Sequence, residues 1–417
     1  MKTNKRYQVT VDEAGLLLLP AELSERWQLN PGDKLDLVEQ ANALELNHPV
    51  HQLARVYLEP TNECNLECST CMRNVWDEAP GYMSEYVFKR FLTTLQDFTP
   101  LPEVFFGGYG EPLGHPRIIK MIAELKSMGV TVELITNGTL LTEARLKSLI
   151  KVGLDRLWVS IDGATPASYA DVRLGDRLPQ IISNLRKLQE LKLRDYLESP
   201  RLGIAFVAMK RNIQDLPDVL RLGHSLGADR FSISNLLPHT PDLAEEILYE
   251  RCMNLGELLP TPGNPLVSMP RMDINPVTLA AMGRILRGSY TLTLGQQQFG
   301  EVANQCPFVE KRSTSIRWDG ALSPCLALLH EHESYLDDRL RKPRAYWIGN
   351  IREKSLMELW MDPIYIDLRD RLRTFDFSPC SFCNSCEYAS SNQEDCFGNI
   401  LPACGGCLWA QGLIQCP

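Results

Sequence analysis

Residues 55–72 read Arg-Val-Tyr-Leu-Glu-Pro-Thr-Asn-Glu-Cys-Asn-Leu-Glu-Cys-Ser-Thr-Cys-Met. Arg55 to Leu58 is strand-like, and Cys64, Cys68 and Cys71 follow on one tight loop with the spacing Cys-x3-Cys-x2-Cys. Three thiolates so placed can hold three irons of a [4Fe–4S] cluster and leave the fourth without a protein ligand. An open iron is a place for chemistry, as an open coordination position is in catalytic metal sites generally. Zinc would want four ligands, and no histidine or fourth cysteine lies close by in the sequence.

Downstream, a strand–loop–helix unit repeats six times between about 54 and 236. The strands are expected at Arg55–Leu58, Glu103–Phe106, Thr131–Thr136, Arg156–Ile161, Arg201–Met209 and Arg230–Ser234. Helical periodicity marks Ser84–Phe98, Arg117–Met128, Glu143–Val152, Pro179–Arg194 and Ile213–Leu226. Gly129 and Gly153 stand where helices end. Thr142 reads as an N-cap, and Asn212 with Asp215 as a capping box. Alternating β and α implies a parallel sheet with helices on its outer face. Six units are fewer than the eight of a closed barrel, so a partial (β/α)6 barrel is expected.

Ligands of parallel α/β folds bind beyond the carboxyl ends of the strands. The first strand delivers the cysteine loop. The second ends in Phe106-Gly107-Gly108-Tyr109-Gly110-Glu111, where glycines let the backbone approach a ligand closely. The third ends in Thr136-Asn137-Gly138 and the fourth in Ser160-Ile161-Asp162, with Ser160 and Asp162 suited to hydroxyl recognition. The sixth leads into Ser234-Asn235-Leu236-Leu237-Pro238-His239 at the same mouth. Arg173, after strand four, is either a substrate anchor or a solvated loop charge.

The cysteine spacing and its place after the first strand resemble the signature of radical S-adenosylmethionine (SAM) enzymes. The resemblance implies the partial barrel fold and a [4Fe–4S] cluster on Cys64, Cys68 and Cys71 whose open iron is chelated by the amino and carboxylate groups of SAM. Gly107, Gly108, Gly110 and Glu111 resemble the family's Gly-Gly-Glu motif, which contacts the methionyl amine. Asn137, Ser160 and Asp162 complete the implied SAM site. One electron from the cluster then cleaves SAM to methionine and a 5′-deoxyadenosyl radical that abstracts hydrogen from substrate. The cofactor carries the difficult chemistry.

Nine of the thirteen cysteines lie between Cys306 and Cys416. Cys306-x13-Gly320-x4-Cys325 resembles the opening of the SPASM domain, which carries auxiliary iron–sulfur clusters. The continuation departs from that pattern, with Cys380, Cys383, Cys386, Cys396, Cys404, Cys407 and Cys416. Two auxiliary [4Fe–4S] clusters are implied, and the pairing is not readable from spacing. Cys252 reads as a buried core thiol. Ser355–Trp360 and Ile364–Leu372 are expected to be helical.

Residues 1–50 form a small β-rich unit, with strands at Tyr7–Val11 and Lys34–Glu39, a buried-type strand at Leu16–Leu19, and helical turns at Pro20–Trp27. The order resembles AbrB-like swapped-hairpin domains, many of which bind DNA. Five Lys/Arg against eight Asp/Glu here argue against phosphate binding and for docking or dimerisation. The expected organisation is thus 1–50 AbrB-like, 51–240 radical SAM barrel, 241–300 helical linker with a helix at Leu243–Leu259, and 301–417 SPASM-type.

Composition is that of an ordinary globular protein, 44% apolar and 23% charged, with net charge −9. That charge implies no general affinity for nucleic acid or anionic membrane. No apolar run is long enough to span a bilayer, and no signal peptide is legible. A cytoplasmic location is expected, where cysteines serve as metal ligands more than as disulfides.

Four stretches resemble one subgroup: Tyr57–Asn62, Met72–Glu78, Ser234–Pro238, and Cys404-Gly-Gly-Cys407-Leu-Trp-Ala-Gln-Gly412. This subgroup is the radical SAM maturases associated with tungsten-dependent oxidoreductases of the aldehyde ferredoxin oxidoreductase type. The implied partners are that oxidoreductase or its pterin cofactor, and a low-potential electron donor such as ferredoxin or flavodoxin. A SPASM-type peptide or protein maturase, and a non-catalytic iron–sulfur sensor with a docking domain, are the alternative readings.

Overall fold

Short apolar strands and amphipathic helices alternate in the computed structural model. It describes residues 7–250 and 304–417 except 28, 30, 34, 36, 41–42, 47, 174, 337–338, 382 and 384–385. Between these blocks it describes 266–269, 275–276, 278–279, 281, 283, 291–294 and 297–298. Cys252 lies outside the described residues.

The six expected strands are β1 (Arg55–Leu58), β2 (Glu103–Phe106), β3 (Val132–Thr136), β4 (Arg156–Ser160), β5 (Arg201–Ala208) and β6 (Ala228–Asn235). They pair in sequence order, all parallel. The helices between them are α1 (Glu85–Leu95), α2 (Ile118–Ser127), α3 (Glu143–Lys151), α4 (Pro166–Arg173), α5 (Leu178–Arg194) and α6 (Leu216–Ser225). Thr142 caps α3 by accepting from Arg145 N. Gly129 and Gly153 take positive φ at the ends of α2 and α3.

Strand alternation sorts the side chains. Val56, Leu58, Val104, Phe106 and Leu134 pack outward with Phe88, Phe91, Ile122 and Leu185 of the helices in one large core. Tyr57, Phe105 and Trp158 pack together in a second cluster, with Ile135 against it. Gly203 makes room there, since a Cβ would enter the Trp158 ring. Each fully buried large apolar side chain contributes about 1.5–3 kcal/mol relative to exposure.

The sheet does not end at β1. β7 (Ser313–Ile316) from the cysteine-rich region pairs parallel to β1, with Ser315 opposite Tyr57. β8 (Ala321–Ser323) and β9 (Gly349–Asn350) then continue antiparallel, giving the order β6-β5-β4-β3-β2-β1-β7-β8-β9. The outer core likewise runs on into Leu359 and Trp360 of α7 (Leu356–Trp360) and Leu368 of α8 (Pro363–Thr374). Ser355 starts α7 with a full capping box. The cysteine-rich region and the barrel therefore share one sheet and one core.

Three expectations are corrected. Leu16, Leu17 and Leu18 are 62%, 43% and 53% exposed. They lie in or beside a two-residue ribbon, Thr10–Val11 with Leu17–Leu18, too short to make a second layer. Asn212 and Asp215 form no capping box. Asn212 instead donates to Asp162 O and Val207 O, and Asp215 accepts from Ala164 N, so both brace the exits of β4 and β5. The helix expected at Leu243–Leu259 is only Pro241–Ala244 within the described part. Among the described residues, no helix is long and apolar enough to cross a membrane.

Candidate active site at the mouth of the barrel

All six strand exits open into one cavity of about 320 Å³. Its wall holds Cys64, Cys68 and Cys71 after β1, Gly108 to Pro112 after β2, and Ile135 to Asn137 at β3. Ser160 and Arg173 come from β4 and beyond, Val207 from β5, and Ser234 to Leu237 with His239 from β6. Trp409, Ile414 and Gln415 complete the rim. Asn235 Nδ2 donates to Leu413 O at 2.8 Å, and Gln415 N to Ser234 Oγ at 3.1 Å. Residues 413–415 thus lie along β6 and narrow its open side.

The cysteine loop is built to one shape. Thr61 Oγ1 donates to Gly81 O, and Asn62 Oδ1 accepts from Gly81 N. Cys71 N bonds Cys68 O. Asn137 Nδ2 donates to Asn65 Oδ1 at 2.9 Å and lies 3.8 Å from the Cys64 sulfur. Burial pushes the Cys64 and Cys71 thiols up, which disfavours free thiolates. Iron would compensate that cost, so one buried and two half-buried thiols on one wall fit a cluster. Among the described residues, no three Cys, His, Asp or Glu side chains converge as they would on a single bare ion.

Glu111 is buried, and burial raises its pKa. Its carboxylate accepts from Thr136 Oγ1 at 2.7 Å, Asn137 N at 2.8 Å and Leu113 N at 3.0 Å. It holds the β2 and β3 exits together. The glycines also approach neighbouring protein groups closely. A Cβ on Gly107 would meet the Phe105 ring, on Gly108 the Glu59 side chain, and on Gly110 the Thr61 and Glu63 carbonyls. Gly107 does not line the cavity, whereas Gly108 and Gly110 do.

Ser160 lines the cavity as expected. Asp162 does not. It is fully buried, accepts from Val207 N at 2.8 Å and pairs with Arg173 at 2.5 Å. The β4 exit turns it inward, so its role is to anchor β5 and Arg173. Arg173 is no solvated loop charge, since its Nη1 stands 3.5 Å from the Cys68 sulfur and its buried Nε has no partner. Burial works against that charge, and Asp162, Cys68 and Tyr169 together more than offset it.

Sequence reasoning missed Glu59 and His330. Glu59 directly follows the Val56-Tyr57-Leu58 run of β1, which is a usable signal. His330 belongs to no motif of the cysteine-rich region. Among those cysteines, Cys306, Cys325, Cys404 and Cys407 line one apolar cavity with Phe308, Leu328 and Trp409. Burial pushes the Cys306 thiol up to about 12. Cys380 and Cys386 are half-buried, and Cys383 and Cys396 exposed. Cys416 lines a different cavity, beside Tyr57 and Lys311, and its sulfur accepts from Trp409 Nε1 at 3.4 Å.

Residues 58–223 match the radical SAM superfamily, and residues 306–387 match the iron–sulfur cluster-binding SPASM domain. A tungsten-containing aldehyde ferredoxin oxidoreductase cofactor-modifying protein of Pyrococcus furiosus is 31% identical over 366 residues, 87% of this chain and 96% of that protein. The chain belongs to the radical SAM superfamily. A PqqA peptide cyclase of Bradyrhizobium diazoefficiens is 30% identical over 43% of this chain and 46% of its own. Streptococcus suis SuiB, bound to its precursor peptide, has a TM-score of 0.51 at 16% identity, covering 80% of this chain and 71% of that one. That likeness is one of fold. This radical SAM enzyme binds a [4Fe–4S] cluster and SAM, and its SPASM module binds iron–sulfur clusters.

Proposed function

We propose that this radical SAM enzyme acts in maturation of the tungstopterin cofactor, or of the aldehyde ferredoxin oxidoreductase-type enzyme that holds it. The radical SAM chemistry in this reading is carried by the cavity into which the cysteine loop and all six strand exits open. The substrate assignment is supported by the 31% identity that spans nearly the whole of the tungsten-associated relative. Cys64, Cys68 and Cys71 would hold the cluster. When bound, cluster and SAM supply reductive cleavage of SAM and abstraction of a substrate hydrogen.

The chain's own residues position and enclose. Asn137 and Asn65 fix the Cys64 end of the loop. Arg173 offers a buried guanidinium beside Cys68 that suits a carboxylate. His239 Nδ1 lies 2.8 Å from Glu333 O, so that nitrogen carries the proton and Nε2 is the acceptor. Burial lowers its pKa and keeps it neutral. Trp409, Ile414 and Gln415 narrow the mouth against water. A low-potential donor such as ferredoxin or flavodoxin would supply the electron.

The test is anaerobic turnover with SAM and dithionite, with tungstopterin or the apo-oxidoreductase added separately. A mass change on the pterin supports the reading. A covalent change on a polypeptide instead would favour a peptide-modifying role. SAM cleavage unaffected by either addition would contradict the tungsten assignment.

A further inference from the structure

We propose that His330, a residue of the cysteine-rich module, positions the glycine loop of the SAM cavity through Glu59. The module that binds the auxiliary clusters thereby also sets the shape of the SAM site. The inference rests on the reading of the barrel mouth as that site.

Glu59 follows directly on β1 and is fully buried. Its Oε1 accepts from Tyr109 N at 3.1 Å. Gly108 sits against it at φ +97°, where a Cβ would come within 2.6 Å of Glu59 Cγ. Glu59 is thus the floor beneath the Gly108–Tyr109 segment that lines the cavity. A carboxylate so buried is costly without a charged partner. His330, itself fully buried, supplies it: Nε2 lies 2.9 and 3.1 Å from the two Glu59 oxygens.

The other ring nitrogen is also committed. His330 Nδ1 lies 2.9 Å from Glu78 Oε2, which Arg317 approaches at 3.2 Å. With carboxylates on both nitrogens the ring is an imidazolium donating twice. Trp76 packs on it at 4.4 Å between centroids, and Tyr109 meets it edge-on at 5.6 Å. Tyr109 OH also donates to Leu326 O, the residue next to Cys325. One side chain of the module therefore ties together the β1 end, the Trp76–Glu78 segment behind the cysteines, and the glycine loop.

The charged and titratable groups facing His330 are Glu59, Glu78 with its partner Arg317, Tyr109, and His332 on its own segment. Burial alone would lower its pKa, but the two carboxylates outweigh burial and hold it at about 9. Above that pH the neutral ring can donate to only one carboxylate.

The experiment measures SAM affinity of the reconstituted full-length protein by equilibrium dialysis from pH 7 to 10. It compares wild type, His330→Gln and Glu78→Gln, with iron content and circular dichroism as controls. Loss of one charge-assisted contact predicts about tenfold weaker SAM binding by His330→Gln at pH 7, at unchanged iron content. Wild type should show a fall in affinity near pH 9 that His330→Gln lacks. Glu78→Gln, altered at the more exposed partner, should keep the fall but shift it to lower pH. Wild-type affinity and pH profile in His330→Gln, or an unmoved step in Glu78→Gln, overturns the proposal. Wild type that holds its cluster but binds no SAM overturns the underlying reading and the proposal with it.

Discussion

Replacing Glu111 by glutamine should loosen the SAM cavity by a calculable amount. The carboxylate accepts three hydrogen bonds, from Thr136 Oγ1, Leu113 N and Asn137 N. Glutamine keeps one oxygen, which can serve Asn137 N. Its NH2 then faces the Thr136 hydroxyl, which can rotate and accept. Leu113 N–H cannot adapt. One buried donor left unsatisfied costs about 1–3 kcal/mol. Glu111→Ala removes the acceptor from all three donors and should cost about 3–6 kcal/mol. Local opening is the right observable, because a multi-cofactor protein need not unfold in two states. Hydrogen exchange followed by mass spectrometry should show amides of 111–114 and 136–138 exchanging roughly 5–150 times faster in Glu111→Gln. SAM affinity should fall in parallel, since Asn137 orients the Cys64 end of the loop. Unchanged exchange with unchanged SAM affinity would refute the claim that Glu111 locks the β2 and β3 exits together.

Gly110→Ala would press a Cβ against the Thr61 and Glu63 carbonyls, the latter at 2.6 Å. Backbone cannot yield cheaply, so about 1–3 kcal/mol of strain should enter the cysteine loop and lower iron per chain after reconstitution. Arg173→Ala strands the fully buried Asp162 and should destabilise by about 3–5 kcal/mol. Arg173→Ala with Asp162→Asn should recover part of that in chemical denaturation. His330 predicts a pH dependence with a defined sign. Its folded pKa is raised from 6.5 to about 9, so its stabilisation is complete below 6.5 and is lost as pH rises through about 9. The loss should be roughly 2–3 kcal/mol of stability between pH 7 and 10, and should be absent in His330→Gln.

The barrel was legible because its signals are local. Alternating apolar strands, periodic helices, the Thr142 cap and the terminal glycines each depend on a few neighbouring residues. Five of the expected site residues, Gly108, Gly110, Glu111, Asn137 and Ser160, line the cavity with the three cysteines. Asp162 and Ser160 share a strand face in sequence, yet the chain turns after β4, and only Ser160 reaches the cavity. That turn depends on Asp215 and Asn212, more than 45 residues away. His330 and Glu59 are separated by 271 residues, so no spacing rule could join them. The parallel pairing of β7 with β1 is non-local in the same way.

The central claim is that the thiols of Cys64, Cys68 and Cys71 and the surrounding strand exits make a site for reductive SAM cleavage. The most direct measurement is 5′-deoxyadenosine formed from SAM by the anaerobically reconstituted, dithionite-reduced protein. It is compared with a Cys64→Ala, Cys68→Ala, Cys71→Ala variant that retains the module's cysteines. The account predicts product from the wild-type chain, none from the variant, and a fall in bound iron of about four atoms per chain, one [4Fe–4S] cluster. Equal product from the two proteins would place the chemistry elsewhere and contradict the account.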